Sequence, residues 1–341
     1  MDQDAFLGRV VTDNAAAFAG LSVSLGARLG LYRAMTGRGP MTPAQLAAEA
    51  GTVERYAAEW LAAQVAGEYV LYDAATATYE LPDEHAAVLA DLTGGFTMLQ
   101  SLYQTEDALV EAFRTGDGHG WEQHSADLFS GVADFFRPGY DAFLVQEWLP
   151  ALQGVTEKLA GGGLVADVGC GYGYSTMLMA EAFPQARFRG FDFHAPSVEA
   201  ARRTARERGL SGRVSFEVAS AADFPGEGYD LVTYFDCLHD LGDPGAALRR
   251  TEKVLAADGS VMIVEPNTSG DPARSINPIG RSFAAVSVVL CLPAAIAQRG
   301  PVALGNHAGE DVMRAIAADA GLGSWRVAVE TVTNRIYDVK R

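Results

Sequence analysis

An imidazole beside a carboxylate moves protons near neutral pH, and the stretch YFDCLHDLGDP holds such a pair: His239 followed by Asp240. A histidine of ordinary pKa can take a proton from a hydroxyl while a carboxylate orients it. His307, in LGNHAGED, is a second imidazole further along. Two histidines and a carboxylate can also hold a divalent metal with open positions, so His239, Asp240 and His307 admit a metal reading. In VADVGCGYGYS, Gly169, Gly171 and Gly173 alternate behind Asp167. Glycines let the backbone turn tightly and approach a ligand closely. A dinucleotide turn has its third glycine one residue later, where Tyr174 stands, and a P-loop would end in Gly-Lys-Ser/Thr. The Asp167 carboxylate suits a positively charged ligand better than a pyrophosphate.

The elements that position these groups follow from the apolar runs. Leu164–Val168 reads as a buried strand, and Met177 to Phe183 as part of a helix. Arg187–Phe191 is the next strand, closed by Asp192, which is placed to bind ribose hydroxyls. A helix over Ser197–Arg208 starts with Ser197 as its cap. Val214–Ala219 and Tyr229–Phe235 are strands, Pro244–Leu255 a helix and Ser260–Glu265 a strand. Such alternation implies a doubly wound parallel sheet with ligands at the carboxyl ends of its strands. His239 and Asp240 then lie on that rim. A helix over Glu310–Ala320 leads to two further runs, Trp325–Val329 and Arg335–Val339, which predict a terminal antiparallel hairpin.

The order Asp-Val-Gly-Cys-Gly-Tyr-Gly resembles motif I of the class I S-adenosylmethionine-dependent methyltransferases, and the similarity extends over residues 160–341. It implies a Rossmann-like α/β sheet with S-adenosylmethionine as cofactor. The resemblance assigns cofactor binding to Asp167, Gly169, Gly171, Gly173, Asp192, Ser220, Ala221 and Phe235. Ser220 stands where many members have an acidic residue. The His-Asp pair is similar to that of plant phenolic O-methyltransferases, in which the histidine deprotonates the acceptor hydroxyl. Those enzymes place a glutamate at the end of the next strand, matching Glu265, and an acidic residue where His307 stands. His239, Asp240 and Glu265 are therefore the expected catalytic residues. Metal-dependent C-methyltransferases of 2-oxo acids, with a His-Asp pair and a distant histidine, are the second model.

The N-terminal half has its own signals. Gln45 completes a capping box with Thr42, Pro43 opens the helix and Gly51 closes it. Thr52 is read as the cap of the next helix, whose apolar positions include Tyr56, Trp60, Leu61 and Val65. EYVLYDAATATYEL reads as two short strands, which makes a winged helix preceded by a long helical stretch from Phe6 to Tyr32. The expected domains are 1–104, a mostly α winged-helix dimerisation domain; 105–159, a helical linker contributing to the acceptor pocket; and 160–341, the methyltransferase domain. Within the linker, Trp121, Glu122 and His124 are read as substrate residues with His307, and Phe135, Phe136 and Tyr140 as possible walls. The chain resembles an actinobacterial group with the same layout and stretches such as FRPGY, FDCLHDLGDP and NPIGR.

Composition narrows the function. The 341 residues carry a formal net charge of −17. The helix that would read DNA offers Glu54, Glu59 and Glu68 against Arg55, whereas phosphate contacts need clustered Lys and Arg. Nucleic acid is therefore not the expected partner, and a regulator that senses S-adenosylmethionine is only a third reading. Cys170, Cys237 and Cys291 are scattered and odd in number, which fits a reducing, cytoplasmic setting. The most apolar run, Phe283 to Ala297, is shorter than the ~20 residues of a bilayer span and reads as a buried helix or pocket cover, so no membrane is expected. The expectation is a homodimeric enzyme of secondary metabolism acting on a small-molecule acceptor.

Overall fold

Thr42 and Gln45 exchange hydrogen bonds, which fixes the start of the helix Pro43–Ala50, and Gly51 ends it in a left-handed conformation. The computed structural model describes Met1–Arg341. The chain falls into two units, residues 1–103 with 126–136, and residues 104–125 with 137–341. The stretch 105–159 is thus shared between them.

In the first unit, helices Gln3–Arg28, Leu31–Met35, Pro43–Ala50 and Glu54–Ala66 precede strands β1 (Leu71–Asp73) and β2 (Thr78–Glu80), an antiparallel hairpin. The cap of the fourth helix is Val53, not Thr52, and it makes no side-chain capping bond. Trp60 anchors the core: its indole N–H donates to the Ser22 carbonyl at 2.9 Å and its ring covers Gly26, where a Cβ would come within 2.5 Å. Burying a side chain of this kind contributes ~1.5–3 kcal/mol. The first helix leaves Phe6, Leu7, Val11, Phe18 and Leu21 each more than half exposed.

The second unit is built on strands β3 (Leu164–Val168), β4 (Arg187–Asp192), β5 (Val214–Val218), β6 (Tyr229–Phe235), β7 (Leu255–Pro266), β8 (Ser324–Glu330) and β9 (Asn334–Lys340). Their order is β5-β4-β3-β6-β7-β9-β8. The first five are parallel, and β9 runs antiparallel to both β7 and β8. Two boundaries depart from expectation. β7 begins at Leu255 because a register shift against β6 absorbs the Ala-Asp-Gly turn. The helix after β4 is Ala195–Glu207, two residues early, since Pro196 opens it, and Ser197 is buried with its hydroxyl 2.7 Å from the His194 ring.

Residues 278–297 form one continuous helical segment with a π-type turn at Ser287–Cys291. This segment and Gln3–Arg28 are each long and apolar enough to cross a membrane by length and composition, which the sequence reading did not allow for. In 278–297 the residues Leu290, Cys291, Ala294 and Ala295 are buried.

Candidate functional site

The glycine turn joins β3 to the helix Tyr174–Ala182. The N–H groups of Gly169 and Cys170 donate to the Phe191 carbonyl at 2.8 and 3.1 Å. Gly171 N–H donates to Asp192 Oδ2 at 2.9 Å, and His194 N–H to Asp192 Oδ1 at 2.8 Å. Oδ2 of the half-buried Asp192 therefore holds the glycine turn and Oδ1 the loop after β4, and burial raises its pKa. All three glycines have positive φ, +74°, +51° and +74°. A Cβ at Gly169 would meet Cys237 Sγ at 2.7 Å, and one at Gly173 the Phe216 ring at 2.4 Å. Only at Gly171 would it meet nothing within 4 Å. The turn thus opens at its middle glycine and is packed at the other two.

Asp167, read from the sequence as a carboxylate suited to a positively charged ligand, is occupied by protein hydroxyls. It is buried and accepts hydrogen bonds from Ser175 Oγ (2.8 Å), Thr176 Oγ1 (2.5 Å) and Thr233 Oγ1 (2.9 Å). Burial raises its pKa and the three hydroxyls oppose that rise. Its visible work is to tie the start of the helix to β3 and β6. Ser220 is exposed beyond β5, its Oγ accepting Ala222 N–H at 3.2 Å. Ala221 packs against the sheet core, and Phe235, buried at the end of β6, meets the Tyr140 ring edge-on at 5.3 Å.

After β6 a single turn of 3-10 helix, Leu238–Asp240, carries the His-Asp pair. The His239 ring is buried between two buried carboxylates. Nδ1 lies 2.5 Å from Glu265 Oε2, and Nε2 lies 3.1 Å from Asp240 Oδ1. The first is a hydrogen bond. The second is a charge contact without hydrogen-bond alignment, for Asp240 Oδ1 has no hydrogen-bond partner. Glu265 Oε1 also accepts the N–H groups of Leu238 and His239 at 3.1 and 3.3 Å. Burial disfavours charge on the imidazole, but Glu265 and Asp240 outweigh it and hold the pKa well above the ordinary value. The near-neutral ring expected from the sequence is instead an imidazolium held by a dyad with Glu265.

His307 does not join this group. The third side chain is Cys291, whose sulfur lies within 4.8 Å of the His239 and Asp240 donor atoms. Its thiol pKa is pushed up to about 12, chiefly by burial. His307 is half-buried with Nε2 unpartnered.

A cavity of about 470 Å³ lies at the loop after β4, lined among others by Trp121, Glu122, Phe193, Ala294 and Gln298. Gln298 links it to the His-Asp turn, its Nε2 donating to the Asp240 carbonyl at 2.6 Å and its Oε1 accepting Gly242 N–H at 3.0 Å. Trp121 and Glu122, read as substrate residues, line this cavity. His124 does not line this cavity: it is buried edge-on against His119, 4.6 Å between ring centres, and burial followed by His119 lowers its pKa to about 4. Phe135 and Phe136 belong to the other unit. His119, Gln298, Cys291 and Asp236 were missed. Of these, only His119 had a signal in the sequence, the repeated histidine of GHGWEQH.

Residues 161–291 match the model of a methyltransferase domain, and residues 17–91 that of the Rv2258c-like winged HTH domain. The chain thus carries a winged helix-turn-helix domain followed by a methyltransferase domain. Ajmaline N-methyltransferase of Rauvolfia serpentina is 30% identical over 100 residues, 29% of this chain and 34% of that protein. The chain spans 34–61% of the length of three such curated relatives. Among solved structures, mitomycin 7-O-methyltransferase MmcR superposes with a TM-score of 0.72 at 17% identity, over 99% of this chain and 98% of that one. The O-methyltransferase NcsB1 from neocarzinostatin biosynthesis, in complex with S-adenosyl-L-homocysteine and 1,4-dihydroxy-2-naphthoic acid, gives 0.62 at 21% identity over 97% and 98%. These likenesses show a shared fold along nearly the whole chain.

Proposed function

We propose that this protein transfers a methyl group from S-adenosylmethionine to a hydroxyl of a small, partly apolar metabolite. The observation that carries the reading is the rim itself: a glycine turn open only at Gly171 and held by Asp192, with a His239–Glu265 dyad at the ends of β6 and β7. When bound, S-adenosylmethionine supplies a methyl carbon made electrophilic by its sulfonium. Gly171 leaves the turn room for the cofactor, and Asp192, at the end of β4, is the ribose-side carboxylate. Glu265 fixes the His239 ring through Nδ1 and leaves Nε2 facing Asp240 across a poorly aligned contact, which an acceptor hydroxyl can replace. With His239 neutral, Nε2 would take the proton of the acceptor hydroxyl, whose oxygen would receive the methyl group that the bound cofactor would supply. Trp121 and Glu122 belong to the pocket wall, and Ser220, Ala221 and Phe235 to the cofactor side.

Isothermal calorimetry tests the cofactor. Adenosylhomocysteine should bind at micromolar concentration and NAD should not. Binding of NAD alone would show that the glycine turn serves a different chemistry. The His239, Asp240 and His307 metal reading is not favoured, since the third side chain at the pair is Cys291. An acceptor from secondary metabolism is supported by the fold shared with NcsB1 and MmcR.

Homodimerisation through the N-terminal unit is supported by the apolar face that the first helix exposes, Phe6, Leu7, Val11, Phe18 and Leu21. Contiguous apolar patches on soluble chains mark association surfaces. Light scattering should give a dimer for the full chain at micromolar concentration, and Leu7→Glu with Phe18→Glu should give a monomer. A monomeric full chain would end the idea. The net charge of −17 and the acidic helix Glu54–Ala66, where Arg55 is already paired with Glu59 at 2.5 Å, argue against DNA as a partner and favour a cytoplasmic enzyme over a regulator.

A further inference from the structure

Asp236, the residue that follows β6, combines three features that seldom coincide without a function. Its backbone is left-handed, φ +48°, although it is not glycine. Its N–H still completes the sheet by donating to the Val264 carbonyl at 2.8 Å, so the conformation turns the chain sharply out of a fixed strand. Asn334, at the start of β9, donates its amide to Oδ1 at 2.6 Å, while Oδ2 is shut away from solvent with no partner. Strained backbone, an orphaned buried polar atom and an ionisable group whose pKa burial raises each point to a functional position. Here all three fall on one residue, three positions before His239 on the same rim.

We infer that Asp236 is the residue that recognises the acceptor, its Oδ2 hydroxyl donating a hydrogen bond to a carbonyl oxygen adjacent to the hydroxyl that is methylated. The inference rests on the methyl-transfer reading above. The choice of a carbonyl follows from the surroundings. Glu265 on β7 and Asp240 on the same loop face Asp236, with His239 as the cation among them, Tyr140 on the segment 140–148, and Asn334 on β9. Burial first, then Glu265, raises the Asp236 pKa to about 8, against the opposite pull of His239 and Asn334. At neutral pH the group is therefore a carboxylic acid, a donor at Oδ2 and an acceptor at Oδ1, where Asn334 already sits. A neutral donor in an acidic setting suits an uncharged oxygen, not an anion. Because His239 and Asp236 share one short turn, the oxygen that loses its proton and the oxygen that is held must be neighbours on the acceptor.

The test uses the full-length protein saturated with adenosylhomocysteine and two probes of like shape, 2-hydroxyacetophenone and 2-ethylphenol, of which only the first has the carbonyl. Calorimetry at pH 6.5 should show a preference of about tenfold for the carbonyl probe, the worth of one hydrogen bond to a buried donor. Asp236→Leu should abolish the preference without changing adenosylhomocysteine affinity. Asp236→Asn should keep it, since an amide N–H still donates and asparagine tolerates a left-handed backbone. Raising the pH through about 8 ionises the acid, so the preference should fade in the wild type and stay level in Asp236→Asn. If Asp236→Leu fails to bind adenosylhomocysteine, the two pH profiles decide alone. Equal probe affinities in the wild type, an undiminished preference in a folded Asp236→Leu, or identical pH profiles would overturn the assignment. Probe preference without turnover would count against methyl transfer and leave the recognition role standing.

Discussion

Alanine at position 239 is expected to lower turnover by roughly 10²–10⁴, the usual contribution of a positioned base, while adenosylhomocysteine affinity stays within a few-fold. The geometry adds a second effect. Removing the imidazolium leaves Glu265 and Asp240, both buried, without the cation between them. Breaking a buried ionic group in this way destabilises by ~3–5 kcal/mol, so the variant should also melt earlier. A pH profile separates catalysis from stability. The raised pKa means that His239 holds its proton at neutral pH, and the base form gains population as pH rises towards that pKa. Wild-type turnover should therefore climb as the pH rises above neutrality, and the residual turnover of His239→Ala should lack that limb. Chelators should leave the wild type unchanged. Wild-type turnover by a folded His239→Ala would remove the residue from the mechanism.

Gly173→Ala is expected to cost the methyltransferase domain ~2–5 kcal/mol, the sum of a left-handed backbone penalty and overpacking. The added Cβ would lie 2.4 Å from the Phe216 ring and 3.1 Å from the Ala201 methyl, both buried, in a backbone of φ +74°. Gly171→Ala makes the contrast. It carries the same kind of strain, φ +51°, but meets no atom within 4 Å, so stability should fall by only ~1–2 kcal/mol. Its methyl projects into the open part of the turn, and adenosylhomocysteine affinity should fall by more than stability does. Urea unfolding beside calorimetry on the two variants gives both numbers. A Gly173→Ala protein as stable as the wild type would mean that the turn is not packed as described.

What the sequence revealed of this site depended on whether the partners lay close along the chain. The strands β3, β4 and β6 are apolar runs whose ends could be read directly, and these ends place Asp192 and His239 on one rim. The state of those groups depends on residues far away in sequence. The hydroxyl of Thr233, which together with Ser175 and Thr176 occupies the Asp167 carboxylate, is 66 residues distant. The Asn334 amide that engages Asp236 is 98 residues away. Cys291 reaches His239 because the apolar helical segment 278–297 lies beside the His-Asp turn. Spacing alone therefore suggested a near-neutral histidine and an aspartate facing a ligand, where tertiary contacts made an imidazolium and a buried anchor. Within the N-terminal unit the capping box survived because its two members are three residues apart, while the neighbouring cap moved from Thr52 to Val53.

The strand β9 lies between β7 and β8, yet it is the last of the sheet to be synthesised. Until Asn334–Lys340 leaves the ribosome, the apolar residues Val261, Ile263 and Val264 of β7 face an unpaired edge. At ~5–20 residues per second that edge stays open for on the order of 3–15 s, long enough for nascent chains on one message to meet. Unpaired strand edges are the templates of aggregation. Demand for chaperones during expression is then set by the position of β9 in the message, and slowing translation after β7 should lower soluble yield without altering the finished fold.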